Sequence, residues 1–405
     1  MQLDLGTAPT AADADTLADP SSADSPSATS AADPRGSAVR TVLPRVDARD
    51  DGLELVFEGR LRYEGDQLLG EGGMGEVRLA HDNDIDRRVA LKRAHPGMSR
   101  QALARFAEEV RTVGKLEHPN IVPIHDVGLD EEGRYFFVMK YVEGETLETV
   151  IERLAAGDRE AHERFDFDAR VHVFLGLLRA LAHAHERGFL HRDLKPANVM
   201  IGRLGEVVLM DWGIAKPIGG AELPADDDAY QRRLVHTQHG AIVGTPSYMS
   251  PEQARGAPDL DVRSDLYAAC VVFHELMTLR HYLADRPQNV PGQLSGAMEA
   301  PLPPVTDMPA WTHASQGPLP IEYVHFLRRG MQKDRDARWG SAEEMIHELE
   351  AALAGRVRVQ CPMSLTKRVT REAGRFVDRH PRLATTLLFA TPLTLAATLL
   401  TLASF

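Results

Sequence analysis

Four side chains close together in the sequence could bind a metal ion and move a proton. Residues 191–198 contain the carboxylate Asp193, the cation Lys195 and the carboxamide Asn198, and a second carboxylate, Asp211, follows downstream. Oxygen donors of this kind bind divalent cations, and a carboxylate can accept the proton of a hydroxyl group. A metal site beside a proton acceptor and a cation is what phosphoryl transfer requires.

The flanking residues predict how these side chains are positioned. Apolar residues recur at helical spacing before the loop: Val171, Phe174, Leu175, Leu178, Leu181 and Ala182. Gly188, just past that run, is a typical helix stop signal. We therefore expect residues 191–198 to form a loop at the end of a buried helix. The extended run 206–210 then predicts a strand that ends at Asp211.

Composition limits the classes of protein and partner. With 405 residues, the chain is long enough for two domains, or for one bilobal domain with tails. Its formal net charge of −13 argues against nucleic acid as the main partner. The two cysteines, Cys270 and Cys361, are too few for a disulfide framework and fit a reducing compartment.

The loop at 191–198 resembles the catalytic loop of eukaryotic-like (Hanks-type) bacterial serine/threonine protein kinases, and Asp211-Trp212-Gly213 resembles the Asp-Phe-Gly motif of that family. The resemblance implies an α+β bilobal protein-kinase fold with ATP between the lobes. A small β-rich N-lobe would occupy residues 53–141, and a larger helical C-lobe would occupy residues 142–354. Because Trp212 replaces the usual phenylalanine, we expect altered packing there with metal binding retained.

The resemblance also implies roles for the residues of the catalytic loop. Asp193 would accept the proton of the substrate hydroxyl, and Lys195 would offset charge on the transferred phosphoryl group. Asn198 and Asp211 would bind Mg²⁺. Thr245 would lie beside Lys195 and the incoming hydroxyl group.

A glycine-rich run at residues 70–77 precedes a second extended run at residues 88–92. The glycine pattern alone is a weak signal, because dinucleotide-binding folds share it. Here the next element has the pattern of a strand and not of a helix, which favours a hairpin over ATP phosphates. The resemblance then implies the following nucleotide-binding residues: Leu69, Gly70, Gly72, Gly75, Val77, Ala90, Lys92, Glu109, Met139, Tyr141, Val142 and Met200.

Two adjacent glutamates compete for one implied role, which is to hold Lys92 in place from the following helix. Glu109 fits the family spacing better than Glu108, because it follows Phe106 by three residues and precedes His118 by nine. A surface charge pair along the helix is the alternative for either glutamate.

Further blocks resemble the large lobe in the family's order. Residues 244–252 end in Ser-Pro-Glu, which is similar to Ala-Pro-Glu, and Glu252 would pair with Arg338. Asp265 resembles the buried acid that braces the catalytic loop. Residues 279–321 are rich in proline and weakly patterned, so we expect a long surface connection without chemistry.

The N-terminal residues predict no folded structure. Residues 1–52 are rich in Ala, Asp, Ser and Pro and poor in large apolar side chains, so we predict a disordered tail. Within these N-terminal residues no basic stretch leads into an apolar one, and we therefore expect no secretory signal peptide.

The C-terminal residues predict a membrane anchor. No charged residue occurs from Leu383 to Phe405, and a helix of this length would measure about 34 Å, enough to span a bilayer core. Residues 355–382 form a basic juxtamembrane linker before it. This flank predicts a single-pass protein of the inner (plasma) membrane with its kinase domain in the cytoplasm. A buried or interfacial helix is the alternative.

The resemblance also predicts how the activity is regulated. We expect protein substrates with Ser or Thr acceptors. Arg192 could bind an anion on the segment 211–252, because a phosphate on such a segment pairs with arginine. Thr237 lies eight residues before Thr245, and we predict its autophosphorylation between self-associated copies. An unmodified loop residue is the alternative for Thr237.

Two other functions are alternatives to protein phosphorylation. A membrane-anchored pseudokinase scaffold would bind nucleotide or partners without phosphoryl transfer, but the complete catalytic set argues against it. A kinase of small molecules would lack the substrate segment, which residues 245–252 provide.

Overall fold

A computed structural model describes residues 39–49, 52–57, 59–72, 75–212, 216–217, 246–356, 358 and 360–379. The predictions for residues 1–38, for Thr237 and Thr245, and for the membrane span at 383–405 lie outside these residues.

The N-terminal half is built mainly from strands. Its elements are β1 (Arg45–Arg49), β2 (Gly52–Val56), β3 (Tyr63–Gly72), β4 (Gly75–Asp82), β5 (Arg87–Ala94), α1 (Arg100–Val113), β6 (Ile124–Leu129) and β7 (Tyr135–Lys140). The last five strands form an antiparallel sheet in the order β3-β4-β5-β7-β6. Helix α1 begins at Ser99, whose hydroxyl accepts a hydrogen bond from the Ala102 N–H. Phe106 of α1 packs on Phe137 of β7, with ring centroids 5.3 Å apart, and joins the helix to the sheet.

Strands β1 and β2 form a hairpin that begins before the expected start of folded sequence at residue 53. The chain after the hairpin runs onto the sheet, and the segment before it is held there as well. The backbone N–H groups of Val42 and Leu43 both donate to Asp84 Oδ1 at 2.9 Å. A reading of composition over residues 1–52 misses this segment, because the alternating pattern of β1 is short and adjoins a long polar run.

The larger half is mainly helical. Its elements are β8 (Gly144–Thr146), α2 (Leu147–Ala155), α3 (Arg159–Arg164), α4 (Phe167–Glu186), β9 (Phe189–Leu190), β10 (Val199–Gly202), β11 (Val207–Leu209), β12 (Lys216–Pro217), α5 (Pro251–Ala254), α6 (Val262–Thr278), α7 (Val290–Glu299), α8 (Ile321–Gly330), α9 (Ala342–Leu353) and α10 (Pro362–Arg379). This division into a β-sheet lobe and a helical lobe is the predicted fold.

Two buried helices, α4 and α6, form the centre of the larger lobe. Phe174 of α4 stacks on Phe273 of α6, with ring centroids 4.1 Å apart. Asp166 caps the start of α4 by accepting a hydrogen bond from the Ala169 N–H. The helix ends where predicted, before Gly188, whose φ of 78° is in the left-handed region that glycine adopts at low cost. The catalytic loop therefore starts from a rigid, buried support.

The expectation of a surface connection across the proline-rich residues 279–321 is wrong. Helix α7 lies within this segment, and Trp311 is fully buried. The Trp311 Nε1 donates to the Pro304 carbonyl oxygen at 3.2 Å. Gln316 accepts a hydrogen bond from the buried Arg170 and donates to the Met277 carbonyl oxygen. Because the two contacts of Gln316 join residues more than 30 positions apart, local pattern could not reveal them.

A buried ion pair between Glu252 and Arg338 joins two segments of the larger lobe that are distant in the sequence. Arg338 donates from Nη1 to Glu252 Oε1 at 2.7 Å and from Nη2 to Oε2 at 2.8 Å. The Ser264 hydroxyl also donates to Glu252 Oε1, at 2.7 Å. This bidentate arrangement is the expected pair, and it fixes the start of α5 against the later helices.

Helix α10 follows the larger lobe at the C-terminal end of the described chain. Among the described residues, none of the helices combines the length and the apolarity needed to cross a membrane.

The ion pair generates a stability prediction. Glu252→Gln should lower the free energy of unfolding by about 3 kcal/mol or more, because it leaves the buried Arg338 charge uncompensated. Glu350→Gln, which breaks the half-exposed pair with Arg179, should cost about 1 kcal/mol or less. Denaturant unfolding of both variants measures the difference. Equal losses would contradict the importance assigned to the buried pair.

The same pair predicts a pH dependence. Burial alone would raise the pKa of Glu252, but the Arg338 guanidinium outweighs this effect and lowers the pKa from 4.5 to about 2. The contribution of Glu252 to stability should therefore be complete above pH 4.5 and should be lost as the pH falls toward 2. In Glu252→Gln, this part of the acid dependence should disappear.

Candidate active site

A buried carboxylate holds the catalytic loop from the larger lobe. Asp265 of α6 accepts hydrogen bonds from the backbone N–H groups of His191 and Arg192, at 2.8 and 2.9 Å. The Asp265 Oδ2 also lies 2.9 Å from His185 Nε2. The two hydrogen bonds from the backbone to Asp265 hold Arg192 in an unfavourable conformation, with a φ of 68°.

Asp193 lies directly after this braced turn. The Lys195 Nζ is 3.0 Å from Asp193 Oδ2, and the Asn198 side-chain amide donates to the Asp193 carbonyl oxygen at 2.9 Å. Leu194, between Asp193 and Lys195, is buried in the apolar core. The loop thus presents a carboxylate and a cation together, which suits proton acceptance beside a developing negative charge.

The strand pair β10–β11 brings Asn198 and Asp211 together. The backbone N–H of Met210 donates to the Asn198 carbonyl oxygen at 2.8 Å, just before Asp211. Asp211 has a φ of 57°, which turns its side chain out of the strand direction. Burial alone would raise the pKa of Asp211, but the nearby positive charges, Lys92 foremost, hold it below its ordinary value. Asp211 is therefore an anion at neutral pH.

Lys92 connects the sheet, the first helix and Asp211. The Lys92 Nζ lies 2.6 Å from Glu109 Oε1 and 3.5 Å from Asp211 Oδ1. Glu109 is buried, whereas Glu108 is exposed to solvent. Burial would lower the pKa of Lys92, but the two carboxylates outweigh it and raise the pKa above its ordinary value. A permanent cation is thus held in the cleft between the lobes.

The glycine-rich hairpin is formed by β3 and β4. Gly72 pairs with Gly75 across the hairpin, and residues 73–74 lie outside the described chain. A Cβ atom at Gly75 would come within 2.1 Å of the Arg93 carbonyl oxygen on β5, so only glycine fits this strand contact. At Gly70, an added Cβ would have no neighbour within 4 Å among the described residues. Leu69 and Gly70 are exposed, and they leave the backbone accessible to a ligand.

The residues expected around adenine belong to one apolar cluster. Ala90 on β5 lies opposite Met139 on β7. Both are buried, as is Val142, whereas three further members are partly buried against the same core: Val77, Tyr141 and Met200. These side chains come from both lobes, and they form an apolar wall next to Lys92.

Trp212 fills the position behind Asp211. It is buried and packs edge-on against the His191 ring, with centroids 4.7 Å apart. Its Nε1 has no hydrogen-bond partner among the described residues, and neither has the buried Glu109 Oε2. The larger side chain is accommodated, as expected, but an indole N–H is left buried without a partner.

Sequence reasoning missed three positioning residues. His185 contacts Asp265, and His191 Nε2 lies 3.1 Å from the Met210 carbonyl oxygen. Gln253 donates to the Arg192 carbonyl oxygen at 3.1 Å and so links α5 to the catalytic loop. Gln253 directly follows the Ser-Pro-Glu block at residues 250–252, whose similarity to Ala-Pro-Glu was the available signal.

Comparisons with known proteins show the family to which the chain is similar. The family model described as protein kinase domain matches residues 63–349. A probable serine/threonine-protein kinase of Streptomyces coelicolor is 37% identical over 300 residues, covering 73% of this chain and 40% of the relative. Serine/threonine-protein kinase PknD of Protochlamydia amoebophila is 32% identical over 319 residues, covering 75% and 31%. Probable serine/threonine-protein kinase PknB of Bifidobacterium longum is 36% identical over 309 residues, covering 74% and 40%. The chain thus spans less than half the length of these relatives.

The contact between Lys92 and Glu109 can be tested by mutation, with the adjacent Glu108 as a matched control. Glu109→Gln should lower the rate of phosphate transfer from ATP by about 10²-fold, because a displaced Lys92 no longer orients the phosphates. Glu108→Gln removes the same charge from an exposed position, and its rate should stay within about twofold of the unmodified chain. Initial rates with a generic basic protein acceptor measure both. Similar losses in the two variants would reject the assignment of Glu109.

Proposed function

The chain belongs to the protein kinase domain family, and we propose that it transfers the terminal phosphoryl group of ATP to Ser and Thr hydroxyls of proteins. The observation that carries the proposal is that Lys92 contacts Glu109 and Asp193 contacts Lys195, while the strand pair β10–β11 places Asn198 and Asp211 as a third pair at neighbouring positions. Each pair supplies one requirement of phosphoryl transfer: phosphate orientation, proton acceptance and metal binding.

The chain's own residues support distinct parts of the reaction. Asp193 orients the acceptor hydroxyl and accepts its proton, and its position is fixed through Asp265. Lys195, 3.0 Å from Asp193, offers a positive charge on the same side of the loop. Lys195 two residues after the base is also the form of the loop that favours Ser and Thr acceptors. Catalysis by such a site rests on positioning and electrostatics, without a covalent enzyme intermediate.

The donor set fits ATP and Mg²⁺. Within the described ranges, no group of three or more His, Cys, Asp or Glu side chains could hold a metal ion by itself. Mg²⁺ is commonly bound by one or two protein oxygens together with substrate phosphates, and Asn198 and Asp211 offer oxygens of this kind. When bound, ATP would supply the phosphoryl group, and Mg²⁺ would offset charge on its phosphates. Asn198 and Asp211 would hold the metal, and the exposed backbone at Gly70 and Gly72 would face the phosphates.

We also propose that the chain is tethered to the inner (plasma) membrane, with its kinase domain facing the cytoplasm. The support comes from the sequence: residues 383–405 carry no charge, and a basic stretch precedes them. Autophosphorylation of Thr237 between self-associated copies stays a prediction, to be checked by mass spectrometry of active protein. In a full-length relative, the remaining length would add its own functions, and none of these is assigned to this chain.

The catalytic assignment generates a paired test. Asp193→Asn should lower phosphate transfer by about 10²- to 10⁴-fold, because an amide cannot accept the hydroxyl proton. Its affinity for ATP with Mg²⁺ should stay nearly unchanged. Asp211→Asn should instead weaken nucleotide binding when Mg²⁺ is present and should have little effect without it. Transfer from radiolabelled ATP and equilibrium nucleotide binding separate the two effects. Wild-type turnover in Asp193→Asn would refute the role of the base.

The proposed tether generates a second test. Deleting residues 383–405 should move the protein from the membrane fraction to the soluble fraction, while phosphate transfer by the truncated chain is retained. The intact chain should resist extraction with carbonate or high salt, because an uncharged span is held by the bilayer core. Release of the intact chain by either treatment would reduce this segment to a peripheral or packing role.

A further inference from the structure

The described contacts that fix helix α10 to the larger lobe lie at the beginning of the helix. The Lys367 Nζ lies 2.6 and 2.7 Å from the two oxygens of Glu322 on α8. Cys361, just before α10, places its Sγ 3.3 Å from His325 Nε2, and Ser364 is buried. These contacts fix the first turns of α10 and therefore the direction in which the helix leaves the lobe.

One side of α10 is apolar and exposed. Leu365, Val369 and Val377 expose 48%, 56% and 49% of their surface, and Ala373 between them is exposed as well. These residues follow each other at intervals of four, so they lie along one side of the helix. The stripe of residues 365, 369, 373 and 377 is about 18 Å long at the rise of an α-helix. Scattered apolar residues on a surface need no explanation, but an aligned stripe at helical spacing indicates a partner.

The other side of α10 is basic. Helical spacing places the positions 368, 371, 375 and 379 together on a different side of the axis from the apolar stripe, and each is an arginine. Residues 356–382 contain eight Lys and Arg residues against Glu372 and Asp378, although the whole chain carries a net charge of −13. The positive charge is thus concentrated in the segment that holds the exposed stripe.

We propose that α10 lies in the plane of an anionic lipid surface, with its apolar stripe inserted at the headgroup boundary and its arginines on the phosphates. This inference rests on the membrane location proposed above and adds a second, separate contact with the bilayer. A basic helix with one apolar side matches the two parts of such a surface, acyl chains and anionic headgroups. Duplex nucleic acid would use the arginines but would leave the apolar stripe exposed to water. Because the first turns of α10 are fixed to α8, the helix would also hold the larger lobe against the membrane.

A tryptophan in the stripe can report insertion. The full chain carrying Val369→Trp is reconstituted into vesicles that contain brominated phosphatidylcholine, with or without phosphatidylglycerol. The chain's own tryptophans, Trp212, Trp311 and Trp339, are buried in the lobes and give a constant background. Leu204→Trp serves as the matched control, because residue 204 is an exposed apolar position in the turn between β10 and β11.

Val369→Trp should be quenched at least about twofold more strongly in anionic than in zwitterionic vesicles, and Leu204→Trp should be quenched in neither. Adding Arg368→Gln, Arg371→Gln and Arg375→Gln, or raising salt to about 1 M, should reduce the quenching, because both weaken attraction to the headgroups. Equal quenching in both lipids, no quenching, or binding to duplex DNA without quenching by vesicles would each overturn the proposal.

The failure of this inference and that of the proposed function give different results. Phosphate transfer should be unchanged in Val369→Trp, since the described contacts that hold α10 are with α8 of the larger lobe and include none of the residues assigned to catalysis. Carbonate resistance tests the span at residues 383–405 on its own. A chain that resists carbonate and transfers phosphate but shows no quenching would therefore reject only the role of α10.

Discussion

The catalytic loop depends on one buried carboxylate. An ionised carboxylate in the core costs several kcal/mol unless donors surround it, and Asp265 obtains two of them from the backbone it holds. Burial would raise its pKa, but the hydrogen bond and charge of His185 help to lower it. The same hydrogen bonds stabilise the left-handed conformation of Arg192, which otherwise costs about 1–2 kcal/mol. The orientation of Asp193, and with it the proposed chemistry, therefore depends on the hydrogen bonds between Asp265 of the core helix α6 and the backbone of the loop.

The charges of the cleft are arranged as matched pairs that come from different elements. Lys92 belongs to the sheet, Glu109 to helix α1, and Asp211 to the end of β11. The shorter distance, 2.6 Å, joins the lysine to the glutamate of its own lobe, and the longer one, 3.5 Å, crosses to the other lobe. A small movement of one lobe would therefore change the second contact before the first. Phosphate groups entering the cleft would meet a cation that is already held in place, so little orientation would be needed at the moment of binding.

The placement of the candidate catalytic residues could be predicted from the sequence because their positions are set within short segments of loop and strand. The choice of Glu109 over Glu108 rested on spacing alone, and the helical period then puts only one of the two toward the sheet. The hairpin at residues 45–56 and the packing of the proline-rich run could not be predicted in this way. Trp311 is buried through contacts such as that with His274, whose ring lies 5.6 Å away on α6. Partners so distant in sequence leave no periodic signal, and the places of Thr245 and of residues 383–405 remain predictions.

Gly70 and Gly75, which lie near the turn of the β3–β4 hairpin, are under different constraints. Any side chain at position 75 would meet the Arg93 carbonyl oxygen at 2.1 Å, so substitution damages the sheet itself. At position 70, no described atom lies within 4 Å of an added Cβ, so the described residues set no steric limit there, whereas the proposed nucleotide would set one. A lineage that lost catalysis but kept the fold would be free to change residue 70 early and would still need glycine at 75. Under the proposed function, glycine at position 70 is therefore the more informative sign that a descendant of this chain binds nucleotide.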